Sequence, residues 1–525
     1  VTALVGVGVG VLTTLSFSGK VEMASVTPIL GVMLGLAVGI DYSLFIVNRH
    51  RKQLLQGSEV FESIGLANGT AGNAVVFAGS TVVIALVALN VTGISFLGLM
   101  GTAAAVCVAV GRLIAITLTP ALLGLAGGRI FNKKSRGQVL NARESGMAVD
   151  MSLVGKKNAI AKPMPTWRAI VTSIVAIGVL LVLAIPTLSM RLGLPDGSGE
   201  PEDSTAFAAY DVTLDGFGEG ANGPVLVAAN LVKPVTDDNL VETQAFIASK
   251  IARLDAVTAV APIGVSDDKK LIAFQIVPIE GPNSESTAQL VHNLRDMSRI
   301  STNIELGVAG QAAMNIDISE SLQDVLPTYL AVVIGLSLFI LIVVFRSFLV
   351  PLIATGGFVL SLLASFGAVV AVFQWGWFAD ILGISPGPLL SFFPVILVGI
   401  LFGLAMDYQL FLATGMREAY VHGSSARLAV VQGLRTGRSV VIAAALIMVA
   451  VFGGFIFAED SIVRLMGFGL AFGVFIDAFV VRLLLMPALM HLHGEAAWWF
   501  PGWLERILPD IDVEGAALER RHPLH

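Results

Sequence analysis

Two stretches of this chain, GLAVGIDYSLFIVNRHRKQLLQG (35–57) and GILFGLAMDYQLFLATGMREAYVHG (399–423), read as copies of one unit. An offset of 366 positions carries Asp41-Tyr42 onto Asp407-Tyr408, and Leu44, Phe45, Arg51 and Gly57 onto Leu410, Phe411, Arg417 and Gly423. Both pairs lie inside apolar runs long enough to cross a bilayer. A carboxylate at the bilayer centre costs about 3 kcal/mol on insertion scales, so such residues are rare there and usually serve an ion or proton pathway. Two of them at matching places in a duplicated unit point to one device, a proton site. The plainer alternative for Asp41 and Asp407 is a structural carboxylate tied to backbone or serine; for Tyr42 and Tyr408 it is packing.

Composition agrees with a membrane setting. Of 525 residues, 55% are hydrophobic, 13% are charged and 55 are glycine, and the mean hydropathy is +0.83. These values belong to polytopic membrane proteins. A net charge of −6 gives no basis for nucleic-acid binding. The single cysteine, Cys107, excludes a disulfide framework and a cysteine-based metal site, and the seven histidines form no HExxH. There is no P-loop and no nucleophile–base constellation, so neither ATP hydrolysis nor another enzymatic activity is expected. No cofactor or metal is expected; the energy source would be a proton gradient. The opening run VTALVGVGVGVLTTLSF (1–17) has no basic n-region and reads as a fragment cut within a span, not as a signal peptide.

Ten apolar runs are expected to span, at 1–17, 28–48, 73–92, 96–126, 168–188, 327–345, 350–374, 393–414, 439–458 and 462–490. The connection 128–168 carries nine Lys/Arg against Glu144 and Asp150, and 49–72 and 415–438 are also net basic. The positive-inside rule makes all three cytoplasmic. The long connection 191–325 has 20 acidic and 8 basic side chains and falls outside the cytoplasm. The expected layout is four spans in 1–127, a basic cytoplasmic linker at 128–167, a span at 168–190, an extracytoplasmic domain at 191–325, five spans in 326–490 and a cytoplasmic tail at 491–525.

The outer segment has alternating strand patterns at 224–232, 257–263, 271–279 and 304–310, with helical spacing at 237–254 and 284–300. That β-α-β-β-α-β order is the split βαβ, ferredoxin-like unit. Residues 311–324 should form a helix running into the next span. Beyond the Asp-Tyr stretches, Leu99-Met100-Gly101 recurs as Leu465-Met466-Gly467, and Pro120-Ala121-Leu122 as Pro487-Ala488-Leu489. The halves therefore form a parallel internal repeat, which commonly carries its site at the interface.

Other residues attach to this frame. Gly399 and Gly403 precede Asp407 by eight and four positions and permit close helix approach. The matching positions before Asp41 are Met33 and Ala37, so looser packing is expected in the first half. Asp477 lies mid-span with Arg482 five residues later; a structural ion pair, a snorkelling arginine and a proton-relay role are all open. FGEGANGP (217–224) reads as a packing turn, with a substrate contact as the alternative.

The chain resembles the MmpL-type lipid exporters of the resistance-nodulation-division superfamily over essentially its full length. The resemblance rests on GLAVGIDYSLFIVNR, GLAMDYQLFL, VFRSF (344–348), MRLGLPDGSGEPEDSTA (190–206), FGEGANGP and FIDAFVVRLLLMPALM (475–490). It implies twelve spans and two outer porter domains in the complete protein, of which about ten spans and one porter domain are expected here. It also implies proton-driven export of lipids across the plasma membrane, with Asp41 facing Tyr408 and Asp407 facing Tyr42. Accessory proteins or a homo-oligomer are left open as partners. The alternatives are multidrug efflux of the related type, or a non-transporting sterol-sensing or protein-export accessory protein of the same fold.

Overall fold

The computed structural model describes residues 1–19, 23, 26–55, 58–127, 163–194, 196–199, 204–297, 299–301 and 303–505. Most of the linker expected at 128–167, and the tail beyond 505, lie outside them. The chain opens with α1 (Thr2–Phe17), α2 (Val26–Leu55), α3 (Val60–Val87) and α4 (Ser95–Ala126). After α5 (Thr166–Ala184) comes a sheet domain: β1 (Leu192–Gly193), α6 (Thr205–Phe217), β2 (Val225–Leu231), α7 (Leu240–Ile251), β3 (Val257–Val265), β4 (Leu271–Pro278), α8 (Glu285–Asp296), β5 (Arg299–Ser301) and β6 (Ile304–Gly310). The bundle resumes with α9 (Gln311–Phe345), α10 (Leu349–Val369), the strand β7 (Leu389–Leu390), α11 (Phe393–Val421), α12 (Ala426–Gly454) and α13 (Ser461–Ile476). A π-helical stretch, Asp477–Leu485, and α14 (Met486–His493) continue α13.

Among the described residues, nine helices are long and apolar enough to cross a membrane. The run at 1–17 is not one of them, because its helix has only 16 residues. At 1.5 Å per residue it reaches about 24 Å, short of a hydrocarbon core of about 30 Å.

In the sheet domain the strand order is β3-β4-β2-β6-β5, with antiparallel pairs throughout. β2 alternates strictly: Val225, Val227, Ala229 and Leu231 are buried, with the residues between them turned to the other face. Its buried face packs on Ile247 and Ile251 of α7 and on Leu290, Val291 and Leu294 of α8. That period-two pattern against two amphipathic helices is what makes a two-layer unit with one covered face. The short edge strand β5 had no counterpart in the sequence pattern.

The turn at 219–222 is wedged against this unit. A Cβ on Gly220 would sit 1.9 Å from the Pro278 carbonyl oxygen at the end of β4, and backbone cannot swing aside. Gly220→Ala should therefore destabilise the domain by about 1–3 kcal/mol through overpacking. The check is thermal unfolding of the purified protein beside Gly216→Ala, whose Cβ would meet nothing within 4 Å.

In the bundle, α11 is the axis, the most deeply buried of the long apolar helices among the described residues. Gly403 lets α11 cross α3 closely, since an added Cβ would meet Val82 Cα at 3.0 Å. Gly399 makes room for Tyr329 of α9, whose hydroxyl donates to the Ala85 carbonyl of α3 at 3.3 Å. The first half has small residues of its own, away from Met33 and Ala37. Gly31, Gly35 and Gly39 form a stripe on a different face of α2, turned toward α1 and α4. A Cβ on Gly39 would lie 3.2 Å from Ala3 Cα, and one on Gly31 2.8 Å from Cys107 Sγ. On α1, Gly6 and Gly10 approach Gly111 and Cys107 of α4 just as closely, at 3.2 and 3.1 Å to Cα. Small residues four apart are the usual means of bringing membrane helices together.

Two backbone connections tie the sheet domain to the axis. β1 pairs in parallel with β7, directly ahead of α11, with Leu389 N–H donating to Arg191 O and Ser391 N–H to Gly193 O, both at 2.9 Å. Side chains extend the link. Asn283 Nδ2 donates to Asp196 Oδ2 at 2.8 Å, Asn315 Nδ2 of α9 donates to Asn283 Oδ1 at 2.9 Å, and the Ser319 and Ser391 hydroxyls are 2.8 Å apart.

Candidate functional site

The mid-bundle site is built from three helices that polar groups would ordinarily avoid. α2 delivers Asp41 and Tyr42, α11 delivers Tyr408, and the π-helical continuation of α13 delivers Asp477 and Arg482. Asp41 is 3% exposed, and its carboxylate faces the Tyr408 hydroxyl across the interface between the halves, close enough to interact with it. The Tyr408 hydroxyl also lies 2.8 Å from Met448 Sδ on α12. A phenol has a single proton to donate, so it can serve the carboxylate or the thioether but not both. The carboxylate is the stronger acceptor, being charged. Asp41 Oδ1 has no partner among the described residues, which leaves one oxygen for a proton or a water.

The reciprocal pairing of Asp407 with Tyr42 lies outside the description: Asp407 is within α11, but its side chain is not among the described ones. Tyr42 itself is buried.

Arg482 is the residue whose importance the sequence understated. It is 1% exposed, ion-paired with Asp477, bonded to the Ala405 carbonyl of α11, and its guanidinium carbon lies 5.0 Å from the centre of the Tyr408 ring. It is also close enough to Asp41 to act on that carboxylate electrostatically. Asp41, Tyr408, Arg482 and Asp477 thus form one cluster, and Asp477 joins it through the arginine. The local fold explains how. In an α-helix, residues three and four apart share a face and residues five apart do not; the Asp477–Leu485 stretch is π-helical, with i→i+5 closure. That register stacks Asp477 and Arg482. Two guanidinium nitrogens, Nε and Nη1, have no partner among the described residues. A void of about 10 Å³ bordered by Tyr408, Ala405 and Asp477 approaches the size of one water.

A larger cavity of about 200 Å³ starts at Tyr42 and runs away from the sheet-domain end between the two halves. Its walls are Phe45, Val75, Phe411 and Val440, and its far end carries Arg49, Lys52 and Glu418. Phe45 stands between cavity and cluster, 6.2 Å from Tyr408 and edge-on to Phe411 at 5.2 Å. No group of three or more His, Cys, Asp or Glu able to hold a metal occurs among the described residues.

Comparison with known proteins gives this arrangement its context. The MMPL family model matches residues 1–177 and 226–510. Membrane protein YdfJ of Bacillus subtilis is 41% identical over 99% of this chain and 70% of its own length. The mycolic acid-containing lipids exporter MmpL11 of Mycolicibacterium smegmatis is 31% identical over 96% of this chain and 53% of its own length. The trehalose monomycolate exporter MmpL3 of Mycobacterium tuberculosis is 26% identical over 98% of this chain and 57% of its own length. The chain therefore spans little more than half of the two exporters, and its bilayer-length helices make it a multi-pass membrane protein. It belongs to the MMPL family.

Proposed function

We propose that this chain is the proton-coupled core of an exporter of lipids or similarly hydrophobic molecules across the plasma membrane. The observation that carries the reading is the placement of the buried Asp41 carboxylate opposite the Tyr408 hydroxyl across the two halves, beside the buried Arg482. Protonation of Asp41 removes the charge that holds the Tyr408 hydroxyl and frees that hydroxyl for Met448. The cross-bundle contact weakens and the halves shift, so proton occupancy selects between two packings of the bundle. Proton entry through 100 mV supplies about 2.3 kcal/mol per charge. The cavity beyond Tyr42 offers the exit. Asp407 and Tyr42 act as the reciprocal pair.

Movement at α11 reaches the sheet domain through the β1–β7 pairing and the Ser319–Ser391 contact, and through α9 by way of Tyr329. The sheet domain serves as the porter domain, on the outer side of the membrane, in keeping with its excess of acidic residues and the basic connections at the other end of the bundle. Lipid as the substrate class is drawn from the names of the two exporters to which the chain is similar.

The test is reconstitution of the chain in proteoliposomes carrying a headgroup-labelled lipid and an internal pH dye. An imposed pH gradient should move lipid and protons together. Proton entry without lipid movement would point to another cargo, and lipid movement indifferent to the gradient would overturn the coupling.

A further inference from the structure

A second mid-bilayer cation is left unused by this reading. Arg112 stands near the middle of the 32-residue α4. Its Nη1 donates to the Val76 carbonyl at 3.0 Å and to Ser80 Oγ at 2.7 Å, both on α3. Its Nε is buried and has no partner among the described residues. Between the two anchor points lies Gly79. A Cβ there would sit 2.6 Å from Arg112 Cδ, 3.2 Å from Tyr42 Cε2 and 3.3 Å from the Tyr42 hydroxyl. The arginine stem and the phenol therefore share the notch that the missing side chain leaves.

This mirrors the other half. Tyr408 has Arg482 5.0 Å from its ring, and Tyr42 has Arg112 against it across Gly79. Each arginine comes from the helix that ends its own half, α4 or the extension of α13. The repeat does not align them: Arg112 precedes Pro120 by eight positions, while Arg482 precedes Pro487 by five. The two arginines differ in register and in anchorage: Arg112 is held on α3, and Arg482 by Asp477 and the Ala405 carbonyl of α11. A staple between α3 and α4 needs only a neutral donor, and a guanidinium at this depth is costly. Its charge needs a use.

We propose that Arg112 is a positioning residue of the proton site, clamped on α3 so that its fixed charge acts through Tyr42. The inference rests on the proton-relay reading above. A cation beside the phenol stabilises the phenolate, so the Tyr42 O–H can release its proton into the cavity that begins there and the oxygen then takes up the next proton from the site behind it, which resets the cycle. Gly79 is required for the arrangement, because any side chain there pushes Arg112 off the phenol.

The experiment measures proton entry into proteoliposomes holding the full chain, for wild type, Arg112→Gln, Arg112→Lys, Gly79→Ala and Asp41→Asn, with melting temperatures alongside. Arg112→Gln should slow proton entry by about tenfold, a barrier change of about 1.4 kcal/mol. Arg112→Lys, which keeps the charge, should recover most of the rate, and Gly79→Ala should resemble Arg112→Gln. Equal losses in the Gln and Lys variants, tracking lowered melting temperatures, would mean a structural staple and overturn the inference, as would an unchanged rate in Arg112→Gln. If Asp41→Asn retained proton entry, the relay reading itself would fall. Loss in Asp41→Asn with no effect at Arg112 would leave that reading standing and remove this one alone.

Discussion

Asp41→Asn is expected to reduce gradient-driven lipid movement and proton entry to background while the protein stays folded and inserted. Asparagine has the same shape, and its amide oxygen can still accept from the Tyr408 hydroxyl. The side chain cannot take up a proton in the working range, so the switch between a charged and a neutral acceptor is gone. Folding should not suffer. A neutral amide is cheaper to bury than a carboxylate, and Asp41 already has one oxygen without a partner among the described residues, so the melting temperature should hold or rise. Asp407→Asn is expected to behave alike if the reciprocal pair works as proposed. Wild-type proton entry in Asp41→Asn would end the proposal, since no other described carboxylate makes the cross-bundle contact with Tyr408.

Much of this site could be read from the chain, and the missing part has a definite cause. Asp41 and Tyr408 are 367 positions apart; the duplicated stretches marked both as parts of one device, and the family resemblance implied which residue faces which. The apolar runs located the long helices, because hydropathy alone decides whether a segment can cross a bilayer. What failed relied on fixed α-helical geometry. For Asp477 and Arg482 the ion pair stayed one of three open readings, because residues five apart do not share a face at 3.6 residues per turn and meet here where the helix widens. On α2 only Met33 and Ala37, the positions matching Gly399 and Gly403, were compared, and neither is glycine. The real stripe, Gly31, Gly35 and Gly39, faces other helices. The β1–β7 pairing joins residues nearly two hundred positions apart through two residues of each strand, too short to leave a periodic signal. Local pattern reports local geometry, and these features are long-range or irregular.

Arg482→Met should produce the largest loss of stability among single substitutions in the bundle. Arginine stays charged under all relevant conditions, and here it compensates Asp477 inside the protein. Removing it leaves a buried carboxylate without its counter-charge, which costs about 3–5 kcal/mol. It also removes the cation from the Tyr408 ring and the donor from the Ala405 carbonyl. Loss of transport in this variant would not separate a structural ion pair from a part of the proton site. The double variant Asp477→Asn with Arg482→Met does. Replacing a buried pair by neutral groups of similar volume is often neutral or stabilising, so the double variant should regain much of the lost melting temperature. Transport should stay absent, because the positive charge acting on Asp41 and Tyr408 is still missing. Recovery of stability and transport together would reduce Arg482 to a tie between helices. Recovery of stability alone makes the Asp477–Arg482 pair part of the device that the two Asp-Tyr stretches announce.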